Sequence, residues 1–66
     1  MKLTVNGEPH EHKGDGSVAA LLDEMGSRPD RTALMVNGDV VPRARWTGVS
    51  LSDGDRVELL VFAGGG

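Results

Sequence analysis

Asp53-Gly54-Asp55-Arg56-Val57-Glu58-Leu59-Leu60-Val61-Phe62 is the stretch around which the rest of the chain can be arranged. A glycine between two aspartates marks a turn, because glycine supplies a positive φ and aspartate side chains bond nearby amides. The turn launches a strand, and strand side chains alternate between faces. Val57, Leu59 and Val61 therefore share one side, and Glu58, Leu60 and Phe62 the other. The first set is expected to meet a helix. The second is expected on an open face, where clustered apolar residues are more informative than single ones. Leu60 and Phe62 are the candidate docking residues.

At the other end of the chain, Lys2-Leu3-Thr4-Val5 alternates polar and apolar residues, and Asn6-Gly7 is a favoured pair for a two-residue hairpin turn. Glu8 to His12 is then the returning strand. Pro9 has no amide to donate, which assigns that strand to a sheet edge. Ser17 is placed to cap a helix beginning at Val18, whose Val18, Leu21, Leu22 and Met25 keep the i, i+3, i+4, i+7 spacing of one apolar face. Gly26 closes the helix, and Asp23 and Glu24 are expected on its solvated side. Thr32 to Val36, a second Asn-Gly at Asn37-Gly38, and Asp39 to Val41 predict another short strand pair. Arg43 to Gly48 is irregular, and Trp46 within it is expected to lie over the core as a lid, with its indole N–H on a carbonyl or water. The right-handed crossover rule sets the first and last strands side by side and parallel. One helix over a mixed sheet of four or five strands is an α+β chain with the β-grasp, or ubiquitin-like, fold. The domain is expected to span residues 1–62, with 63–66 a flexible glycine tail.

Composition narrows the function. A chain of 66 residues holds one small domain, and the absence of cysteine rules out disulfides, thiolate metal sites and a cysteine nucleophile. The net charge of -3 gives no electrostatic reason to bind nucleic acid or anionic lipid. No apolar run approaches the roughly 18 to 20 residues of a membrane span, and a cytoplasmic location is expected. His10 and His12 lie two apart and share a strand face, but no third ligand is fixed nearby by spacing. They are expected to form a solvated pair on an edge strand, with no metal. Asp53 and Asp55 are accounted for by the turn, Ser17 by its cap, and Gly14-Asp15-Gly16 is too short for a phosphate loop. The chain shows no catalytic residue of its own and no cofactor site.

Gly64, Gly65 and Gly66 follow the last strand. A backbone without side chains can thread a narrow enzyme tunnel, which makes the Gly66 carboxylate a candidate reacting group. A frayed tail of no consequence is the alternative.

Taken together, the opening strand, the helix Val18 to Met25, Met35-Val36-Asn37-Gly38, Val41-Pro42-Arg43 with Trp46, Leu51-Ser52-Asp53-Gly54-Asp55-Arg56-Val57-Glu58 and Gly65-Gly66 resemble the ThiS family of thiamine-biosynthesis sulfur carriers. Gly64 adds a third glycine to the family's pair. The resemblance implies that an adenylating enzyme of the E1 type (ThiF or MoeB type) uses ATP and magnesium to convert the Gly66 carboxylate to an acyl adenylate. Persulfide sulfur from a donor such as a cysteine desulfurase then replaces AMP, giving a C-terminal thiocarboxylate whose sulfur passes to thiazole synthase (ThiG type). The chain would be a recycled co-substrate and not an enzyme. The small subunit of molybdopterin synthase, a ubiquitin-like protein modifier and a β-grasp binding module with an incidental tail stand as alternatives.

Overall fold

The computed structural model describes residues 1–63, and the masses of the fold lie where the periodicities put them. Two antiparallel strands, β1 (Lys2–Val5) and β2 (Glu8–Glu11), come first. The helix α1 (Val18–Met25) follows, then β3 (Thr32–Val36), β4 (Asp39–Val41) and β5 (Arg56–Val61). Short 3-10 segments, Pro29–Arg31 and Arg43–Gly48, fill the connections. The sheet runs β2-β1-β5-β3-β4, with β1 and β5 parallel and the other pairs antiparallel. This is the β-grasp arrangement, with five strands. Pro9 sits on the edge strand β2, where its missing N–H costs no ladder bond.

Local chemistry sets the element ends. The Ser17 side chain accepts from the Ala20 amide at 3.1 Å, and Gly26 closes the helix at φ 68°, donating back to the Asp23 and Leu22 carbonyls. Both Asn-Gly pairs form hairpin turns, with Asn6 and Asn37 each at φ 51°. Leu3, Val5, Leu34, Val57 and Leu59 line the covered side of the sheet against Val18, Leu21 and Leu22 of the helix, all of them buried. Trp46 is a buried lid on this core, and its indole N–H donates to the Val41 carbonyl at 2.9 Å.

Two apolar residues depart from expectation. Val61 has the parity of Val57 and Leu59, yet is 62% exposed. A helix of eight residues is about 12 Å long, while six strand residues reach about 20 Å, so the end of β5 overhangs its cover. Met25, the last residue of α1, is likewise exposed because the helix ends as it reaches the edge of the core.

Candidate functional site

The end of β5 is held from one side by β3 and from the other by an asparagine. Leu60 lies opposite Ala33 and Glu58 opposite Met35, so the open face of the sheet carries a row of Val40, Met35 and Glu58 and, beside it, Ala33 and Leu60. The Phe62 amide continues this pairing by donating to the Arg31 carbonyl at 2.8 Å. Leu60 and Phe62 are 58% and 56% exposed, on the uncovered side where strand alternation put them. Val40 joins them as an exposed apolar residue on the same face, which the sequence reading missed. The antiparallel register was its signal, since cross-strand partners share a face. The residues proposed as the reacting tail, Gly64, Gly65 and Gly66, lie outside the described residues.

The two histidines are placed differently from the solvated pair that was expected. Leu3 lies opposite His10 in the hairpin, so His10 and, two residues on, His12 share the covered face. His12 is 2% exposed, and Glu24 turns back from the flank of α1 to meet both rings. His10 Nε2 and His12 Nδ1 each lie 2.8 Å from the same Glu24 oxygen, Oε1, while Oε2 accepts from the Lys13 amide at 2.8 Å. Glu24 is thus no freely solvated residue. The Gly16 amide donates to His12 Nε2 at 2.9 Å, which leaves that nitrogen without a proton and puts the ring proton of neutral His12 on Nδ1, facing Glu24. Hydrogen bonding, first from His10 and then from His12, holds the Glu24 carboxyl down at about 2.

Glu24, His10 and His12 have the residue types and spacing of a metal site, their ligand atoms lying within 4.8 Å of one another. The donor chemistry argues against that use. A metal at His12 Nδ1 would drive the ring proton to Nε2, where it would oppose the Gly16 N–H inside the protein. The triad fastens β2 and the following loop to the helix. Gly14 belongs to the same tight junction: a side chain there would come within 2.7 Å of the Ala20 methyl and 2.9 Å of His12. That close approach, and not phosphate binding, accounts for the glycine.

A β-grasp sheet with an apolar open face beside a strand end is shared by several kinds of protein, and comparison with known ones separates them. The model of the ThiS family matches residues 3–66. This chain belongs to the ThiS family. It is similar to the sulfur carrier protein ThiS of Escherichia coli, 32% identical over 98% of this chain and 100% of that one. The crystal structure of a thiamine biosynthesis protein, ThiS, from Geobacter metallireducens superposes with a TM-score of 0.80 at 36% identity, covering the whole of both chains. A thiazole synthase of Paramagnetospirillum magneticum is 38% identical over the entire chain, and a second, from Magnetococcus marinus, 36%. The chain spans only 20% of the length of these two synthases. No helix among the described residues is long and apolar enough to cross a membrane.

Proposed function

We propose that the chain is the sulfur carrier of thiamine biosynthesis, and that Gly66 is the residue that carries the sulfur. The observation that supports it most directly is that the ThiS family match runs through to Gly66. The Gly66 carboxylate attacks the α-phosphorus of ATP, pyrophosphate leaves, and a carboxyl-adenylate mixed anhydride forms on an enzyme of the ThiF or MoeB type with magnesium. A persulfide sulfur, from a cysteine desulfurase, then attacks the activated carbonyl and expels AMP. A thiol cleaves the resulting S–S bond, and the thiocarboxylate remains. Its sulfur is the nucleophile used in thiazole formation, and likeness to two thiazole synthases supports a ThiG-type acceptor.

The chain serves as co-substrate, and its own contribution is position: Leu60 and Phe62 supply apolar area for docking beside the segment to be delivered. Deletion of Gly66 tests this reading. The domain is expected to keep its melting temperature, because the deleted residue adds no packed side chain. ATP–pyrophosphate exchange with the activating enzyme is expected to collapse, because the carboxylate now stops up to about 3.6 Å short of the nucleotide. A truncated chain that still exchanges oxygen for sulfur at the full-length rate, read by intact mass, overturns the assignment of Gly66. Conjugates to other proteins in the same reaction would favour a protein modifier instead.

A further inference from the structure

β1 and β5 pair over only two positions, Thr4 with Arg56 and Val5 with Val57. The chain then turns away at Asn6, whose amide donates to the Val57 carbonyl at 2.9 Å. From this point the Asn6 side chain takes over the pairing. Its Oδ1 accepts from the Leu59 amide at 2.8 Å, and its Nδ2 donates to the Leu59 carbonyl at 3.2 Å. A carboxamide carries the same donor and acceptor as a peptide group, so Asn6 continues the ladder for one residue that β1 does not supply. Turn geometry alone does not require this. Gly or Asp would also fit a left-handed turn residue, and only Asn offers both partners to Leu59. Asn37, at the same φ, uses its side chain differently: Oδ1 accepts from Arg56, and Nδ2 donates to the Asp55 carboxylate.

We propose that Asn6 is a positioning residue for sulfur loading, fixing the course of the strand end that follows Leu59; this rests on the sulfur-carrier reading above. Through Leu59, β5 is bonded on both flanks. From Leu60 to Phe62 the bonds described are those to the β3 side. Without the Asn6 side chain, the two-sided part of β5 retreats from Leu59 to Val57, which lengthens the one-sided segment by two residues, about 7 Å of strand. That segment presents Leu60 and Phe62 and leads to the reacting end. Greater freedom there spreads the carboxylate over positions out of line with the nucleotide, and small misplacements are costly in transfer reactions.

Two variants carry the test. Asn6→Gly keeps the turn and removes both bonds; Asn6→Asp keeps an acceptor for the Leu59 amide but sets a carboxylate against the Leu59 carbonyl. Each is checked for folding by thermal melting. In Asn6→Gly the Leu59 amide should exchange faster, and in both variants backbone order parameters from Leu60 to Ala63 should fall. The kcat of ATP–pyrophosphate exchange should fall about tenfold, with the KM for the carrier changed less than about threefold, since the docking side chains are unaltered. A kcat equal to that of the parent chain in a folded variant would restrict Asn6 to holding the fold. A lowered kcat with order parameters from Leu60 to Ala63 unchanged overturns the proposal as well, because the loss would not run through the clamp. Should Asn6→Gly fail to fold, Asn6→Asp decides. The Gly66 deletion, run in parallel, separates the two ideas: if it exchanges normally, the carrier reading fails; if it is inert while the Asn6 variants are normal, only the positioning role fails.

Discussion

Along β5 and the residue that follows it, Val57 and Leu59 face the helix and are 1% and 6% exposed, whereas Leu60 and Phe62, no less apolar, face the other way and are 58% and 56% exposed. The same stretch of chain therefore holds one apolar set already desolvated by folding and one that is not. Burying such a side chain is worth about 1.5 to 3 kcal/mol, and on the open face that free energy is still available to a partner. The covered side bears the fold, and the open side is the one proposed for association. Substitution on each side should accordingly act on a different measurement.

The largest separation is expected at the helix. Leu21 is fully buried between α1 and the sheet, so Leu21→Ala should lower the unfolding free energy by about 2 to 5 kcal/mol, the range for leucine cavities. For a domain of this size that is a large share of the total. Urea denaturation measures it, and a cost below about 1 kcal/mol would break the division between the faces by showing that the helix side is not closely packed.

A second, smaller effect sharpens the boundary of the covered face, because there the residues are polar. Glu24 has its carboxyl lowered from 4.5 to about 2 by hydrogen bonds, the largest from His10 and the next from His12. A depressed carboxyl contributes stability that is whole above its unfolded value and is lost as pH falls through the folded one. The loss attributable to Glu24 should thus lie between pH 4.5 and about 2. Glu24→Gln removes the charge and points an amide donor at the Lys13 N–H or at a histidine, so it should be less stable than the parent at neutral pH and converge on it in acid. Denaturation midpoints at several pH values test this; a difference that does not shrink below pH 4.5 would mean that Glu24 acts by shape and not by charge.

How much of this could be read in advance depended on range. Ser17, Gly26 and the two Asn-Gly pairs act through their own or adjacent backbone, so the helix and the turns followed from local chemistry. Parity told which face each residue of β5 meets, and it put Leu60 and Phe62 on the open side. It could not tell depth. Val61 shares the parity of Leu59 but overhangs an eight-residue helix, and His12, on a nominally exposed edge, is buried because Glu24 and Gly16 close over it. Both outcomes depend on where one element ends relative to another, which spacing within an element does not encode. The Asn6 clamp was hidden for the same reason. Its partner is 53 residues away, and a turn asparagine is already explained by its turn.

The smallest effect on stability is expected at Phe62, and it discriminates most sharply between the faces. The ring is more than half exposed, beyond the end of β5, and the Phe62 main chain keeps its bond to Arg31 whatever the side chain. Phe62→Ala should therefore change the unfolding free energy by less than about 0.5 kcal/mol, as exposed substitutions usually do. Affinity for the activating enzyme should nevertheless fall by about 1 kcal/mol or more, roughly fivefold in Kd, if this ring is an anchor on the open face. The two numbers come from one variant, by urea denaturation and by titration calorimetry with the partner, so a general loss of folded protein cannot imitate the result. A variant that loses stability while its folded fraction binds as before would move Phe62 to the core side of the division. Unchanged stability with unchanged affinity would leave Leu60 and Val40 to account for whatever association the open face supports.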